Sequence, residues 1–117
     1  MKTVISSLLA LSALACGGGY PEPKEASTAA EAAIRSAQEV GAERDPRATL
    51  HLKFAKDELE KSKELIAKDD NHRAELVLLC ARADAELAIM MAKAANQKAE
   101  ADKALAEVAQ MRRKLGK

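Results

Sequence analysis

The sequence predicts an all-α protein: a short helix followed by an antiparallel helical hairpin whose C-terminal arm is a long, coiled-coil-like helix with an alanine-rich seam. Three observations carry this. From Ala74 to Ala109, residues 74, 78, 81, 85, 88, 92, 95, 99, 102, 106 and 109 alternate spacings of four and three, and all but Asp102 are apolar. Alanine fills 26 of 117 positions, whereas the chain has one Phe, one Tyr and no Trp. Two shorter amphipathic segments precede the long one, each bounded by helix start and stop signals. A helix over 71–115 would run for roughly 65 Å, too long to wrap into one compact core. The expected product is a rod and its attachment.

In chain order, Met1-Lys2-Thr3 supplies one positive charge ahead of an apolar run, Val4 to Ala15, interrupted by Ser6, Ser7 and Ser12. At about 12 residues the run is shorter than the roughly 20 a spanning helix needs, so residues 1–15 read as a signal peptide. Cys16 follows Ala13-Leu14-Ala15 and precedes three glycines. Residues 16–27 are then expected to be a flexible tether, with Tyr20-Pro21-Glu22-Pro23 favouring an extended course.

The helical domain is predicted over 28–117. Thr28 and Glu31 have the spacing of a capping box, which would start the first helix near 29 and carry it to 40, with Gly41 as a left-handed stop. Asp45-Pro46 opens the second, 46–68, with Asp45 as N-cap and Pro46 where a missing N–H costs nothing. Its expected inner face is Ala48, Leu52, Ala55, Leu59, Ser62 and Ile66, widened by Leu50, Phe54 and Leu65. Asp69-Asp70-Asn71 is the turn. The third helix, 71–115, is expected to pack first through Leu76 to Leu79, Leu87 and Ile89 to Met91. Beyond about Asn96 it outruns any partner within the chain, so Ala95, Ala99, Ala106 and Ala109 form an expected seam for self-association or for another protein.

Charge narrows the function classes. Removing residues 1–15 takes away Lys2 and leaves 18 basic against 18 acidic residues, which is not the footprint of a nucleic-acid binder. Asp69, Asp70, His72 and Glu75 cluster at one helix start, where the helix dipole alone favours acidic groups, and they lack a second His or a Cys at ligand spacing. His51 is expected to be exposed, and Cys80 to be a small apolar filler or a dimer disulfide. No nucleophile–base pair, phosphate loop or carboxylate pair is visible, so neither catalysis nor a cofactor or metal site is expected.

Residues 13–17 resemble the lipobox of bacterial lipoproteins, with Ala13 and Leu14 in the reverse of the family's order. That resemblance implies a diacylglyceryl, N-acylated Cys16 as the first residue of the mature chain. Gly17 after it implies the periplasmic face of the outer membrane. Ala13-Leu14-Ala15 also suits ordinary signal peptidase, which cuts at the same bond and leaves a thiol. Ala32-Ala33-Ile34, Gly41-Ala42, Leu52, Ala55-Lys56-Asp57-Glu58-Leu59 and Ala81 to Ala88 resemble the domain-of-unknown-function family 4398 of bacterial envelope lipoproteins, over about Thr28 to Ala95. The family implies location and shape, and no chemistry. The layout and Lys117 further resemble murein lipoprotein, whose C-terminal lysine is joined to peptidoglycan. With Arg112, Arg113 and Lys114, Lys117 would form a contact with the anionic wall. The expected role is a lipid-anchored structural or interaction protein. The alternative is a carrier or chaperone sheltering an apolar ligand in the hairpin between Leu76 and Met91.

Overall fold

A computed structural model describes residues 19–116; the signal segment, Cys16 and Lys117 lie outside the described residues. Three α-helices follow one another, α1 (Lys24–Glu39), α2 (Pro46–Ile66) and α3 (Asn71–Leu115), with a 3-10 turn at Ala42–Arg44 between the first two. No strand occurs among the described residues. α1 and α3 run in the same direction, because Asn71 at the start of α3 reaches the Tyr20 carbonyl and Asn96 reaches the Val40 carbonyl. α2 runs back between those levels, so the three form an up-down-up bundle on the first half of α3.

The bounds of α3 are those expected, and α2 ends two residues early, at Ile66 instead of 68. α1 differs more, since it begins at Lys24 and not near 29. Thr28 therefore caps nothing: it lies inside the helix and its hydroxyl donates back to the Lys24 carbonyl at 2.9 Å. The first turn closes instead from Ser27 N–H to the Pro23 carbonyl, and Pro21 and Pro23 prevent the helix from starting earlier. Lys24 to Ser27 thus belong to α1 and not to the tether.

The punctuation of α2 follows its chemistry. The Asp45 carboxylate accepts from the N–H groups of Arg47 and Ala48 at 2.9 and 3.0 Å, and these bonds, the Ala48 one foremost, hold its carboxyl below the ordinary range. Gly41 takes φ 82°, the left-handed conformation that ends α1. At the hairpin turn Asp69 takes φ 59°, a conformation that Asp tolerates better than most residues.

Ten of the fifteen buried apolar residues are alanines, which lets the helix backbones approach closely. Every seam residue of α3 from Ala74 to Ala92 is buried. On α2 the buried face is Ala48, Leu52, Ala55, Leu59 and Ser62, with Leu65 taking the place expected for Ile66. Ser62 satisfies its buried hydroxyl on the Leu59 carbonyl at 2.7 Å, so it costs the core little. Of the expected widening, Leu65 is buried, whereas Leu50 and Phe54 stay exposed; on α3 Val77, Leu87, Ile89 and Met91 are half-buried, and Leu76, Leu79 and Met90 are exposed. Leu50, Phe54, Leu76 and Met90 each follow a buried residue by two positions, about 200° round the helix, so they face away from the bundle. On the outer face of α2, Lys53 bonds Asp57 one turn on at 2.6 Å, whereas Lys56 reaches back to Glu43 at 3.7 Å.

Close packing makes a direct prediction. Ala85→Leu forces three extra carbons into a seam that is fully buried, and is expected to cost about 1–3 kcal/mol in chemical denaturation. Ala109→Leu, the equivalent change on the exposed part of the same stripe, should move stability by no more than about 0.5 kcal/mol.

Candidate interaction surface

The feature with functional content is the part of α3 that leaves the bundle. The last contact with the hairpin is Asn96 Nδ2 on the Val40 carbonyl at 3.1 Å, beside a shallow recess bordered by Gly41, Asp45 and Ala99. Every described residue from Asn96 to Gly116 is exposed. Residues 97–115 make about 28 Å of single helix with no packing partner among the described residues. Alanine propensity and pairs such as Lys98 with Asp102, at 2.6 Å, sustain it locally, yet its apolar residues remain in water. Of the seam residues expected to meet a partner, Ala95 is half-buried at the bundle's edge, while Ala99, Ala106 and Ala109 are exposed.

The basic end of α3 is equally open. Arg112, Arg113 and Lys114 are exposed on the last turn, where the helix dipole favours cations. Arg113 Nε also donates to the Ala109 carbonyl at 3.4 Å. Cys80 carries a free thiol on the outer surface, which corrects its reading as an apolar filler.

At the opposite end of the bundle the expected acidic cluster is divided among separate partners. Asp70 pairs with Arg73 at 3.0 Å, and Asp69 accepts from Asn71 at 3.1 Å. Glu75 accepts from the Tyr20 hydroxyl, which raises the phenol above its ordinary value. His72 meets the Tyr20 ring edge to face, with centroids 5.1 Å apart. Among the described residues no group of three His, Cys, Asp or Glu could hold a metal ion. Tyr20 thus docks on the first turn of α3, where the sequence suggests only a tether.

A second polar group also escapes the sequence reading. His51 is not free on the surface: its Nδ1 lies 2.6 Å from Asp84 Oδ1, with each side chain 24% exposed, and its ring meets Phe54 edge to face. The hairpin register holds the missed signal, because residues 51 and 84 are equidistant from the turn near 67–68. Beside them Glu58 Oε2 is buried with no donor in reach. Burial, and then the neighbouring Asp84 carboxylate, raise the Glu58 carboxyl above its ordinary value, and a proton shared with Asp84 would supply the missing donor. The arrangement ties α2 to α3.

The Glu58 shift fixes a sign. A carboxyl raised in the folded state contributes stability that is present below its unfolded value of about 4.5 and lost as pH rises through the folded value. Glu58→Gln should therefore stabilise the fold at pH 7 by less than about 1 kcal/mol, because the group is partly solvated, seen as a higher melting temperature, and the gain should vanish by pH 4.

A family model described as "Domain of unknown function (DUF4398)" matches residues 25–104, which includes the whole bundle and the start of the free arm. No curated protein and no solved structure matches the chain.

Proposed function

This chain belongs to the DUF4398 family, and from that premise we propose that it is a lipid-anchored structural or interaction protein of the bacterial cell envelope. In this reading Cys16 carries the lipid on the periplasmic face of the outer membrane. The helices form a rod that docks to a second copy, to another envelope protein or to peptidoglycan. The observation that carries the proposal is the second half of α3, an exposed helix with apolar residues and no packing partner among the described residues. A helix of this kind gains most of its stability from what it packs against.

Support for the anchor comes from the sequence: the short apolar run, Cys16 at the cleavage point and the glycines that follow. No helix among the described residues is long and apolar enough to cross a membrane, so any attachment through them would be peripheral. Arg112, Arg113 and Lys114, with Lys117, give the far end a cationic face suited to the anionic wall. The carrier reading is less well supported. Leu76, Leu79 and Met90, the larger side chains it would use, point away from the bundle interior, and the residues that do face inward there are mainly alanines.

Cell fractionation and mass spectrometry test the proposal together. The chain is expected in the outer-membrane fraction with an acylated residue 16, and Cys16→Ser should move it to the soluble fraction. A plain thiol at position 16, or partitioning unchanged by the substitution, would refute the anchor. Sacculi boiled in detergent and digested with muramidase report on the wall contact. Covalent linkage requires a muropeptide on Lys117, and complete recovery in the detergent fraction, from wild type and Lys117→Arg alike, eliminates it.

A further inference from the structure

Each residue of the α3 seam is followed two positions later by another apolar residue, from Leu76 to Met111, with Gln97 the one exception. Two residues turn a helix by about 200°, so this second stripe lies on the far side of α3 from the hairpin. Interrupted at Gln97, it runs from the bundle into the free arm and continues to Leu115. Met90 is 61% exposed, Met111 55% and Val108 42%, while Leu87 is half-buried. A surface helix ordinarily has a polar face there.

We propose that this outer stripe is the interface with a second copy of the chain, the two α3 helices pairing antiparallel with the two-fold axis beside Ala99. The inference rests on the docking role proposed above and names its partner. With that axis the stripe pairs with itself layer by layer. Leu87 meets Met111 of the second copy, Met90 meets Val108, Ala94 meets Ala104 and Gln97 meets Ala101. Large residues pack on large ones in the two layers flanking the alanines and small on small near the axis, while Ala83 meets Leu115 at each end of the overlap.

The flanking charges select this arrangement. Antiparallel pairing sets Glu86 opposite Lys114 of the second copy and Lys93 opposite Glu107, each occurring twice. Like charges meet only at the axis, where Glu100 faces its own copy and Lys98, already bonded to Asp102, faces its own. A shift of one heptad, with the axis between Ala94 and Gln97, brings Glu86 against Glu107. Parallel, in-register pairing offers one opposite pair, Glu107 with Arg112, and sets Lys93 against Lys98. The overlap of residues 83–115 is about 50 Å long and roughly 12 Å wide, so it buries on the order of 1,200 Å² in total. That clears the ~1,000 Å² expected of a specific interface.

Cross-linking tests orientation and register together. The full chain with Cys16→Ser and Cys80→Ser, carrying Leu87→Cys and Met111→Cys, should give a covalent dimer on oxidation, with peptide mapping showing 87 joined to 111. The two positions lie about 36 Å apart along one helix, so that bond can form only between copies. Met90→Cys with Val108→Cys is the independent second pair. Glu107→Lys should raise the dimer dissociation constant about tenfold, and Lys93→Glu in the same chain should restore it; Lys93→Glu alone should weaken the antiparallel dimer by setting residue 93 against Glu107, whereas it would relieve the Lys93–Lys98 repulsion of a parallel one. Bonds joining 87 to 87, or Cys80 to Cys80 in a chain that keeps it, would overturn the proposal, as would a monomer in sedimentation up to the solubility limit. The fractionation of Cys16→Ser is independent of all these outcomes, so a failed dimer and a failed anchor are told apart.

Discussion

Close approach of helix backbones across alanine is the constraint on which the rest of this structure depends. Alanine contributes little apolar area, so a bundle built on it gains stability from dense backbone contact and low side-chain entropy cost more than from large buried side chains. Leu52 and Leu78 and the residues around them supply the few larger contacts, set between layers of alanine. The cost of this economy is a narrow interface. Ile89 and Met91, one step off the seam, are only half-buried, and Leu76, Phe54 and Met90, two positions past it, face away from the bundle into water.

The same constraint explains why one helix can be twice as long as its neighbours. A three-helix bundle normally ends where its shortest arm ends, and here the α1–α2 connection at Val40 to Asp45 closes the hairpin beside Asn96. α3 continues because its sequence keeps high helix propensity and a regular apolar period beyond that point. The polar ties at Asn71, His51 and Asp84 lie within the bundled half. The family match reaches residue 104, past the last bundle contact, so the beginning of the free arm is part of what the family shares.

Much of this was legible in the residues. The period of α3, the Asp45-Pro46 start and the Gly41 stop each have a local cause, and the structure has all three. What stayed hidden depends on three dimensions. Thr28 and Glu31 fit a capping box by spacing, but nothing local says that the turn before them is also helical. His51 and Asp84 are 33 residues apart and meet only once the hairpin register is drawn. Tyr20 sits in a Pro- and Gly-rich stretch and looks like linker until Asn71, His72 and Glu75 offer it a carbonyl acceptor's partner, a ring edge and a carboxylate. The outer stripe is present in the sequence, but Leu76 and Met90 read as core, and the structure places both on the exposed face.

The docking of Tyr20 has a mechanical consequence. A load applied between the chain's two ends enters at Tyr20 and leaves at Leu115. While the Tyr20 contacts with Asn71 and Glu75 hold, that load passes directly into the first turn of α3 and along its axis. α1 and α2 then lie beside the load path and bear none of the tension. Should the Tyr20 contacts give way, the force would enter through α1, which runs parallel to α3, and would have to traverse the Gly41 and Asp69 corners in turn. The molecule would then lengthen by opening its bundle before α3 itself was stretched, in the manner of a strut with a folded reserve of length.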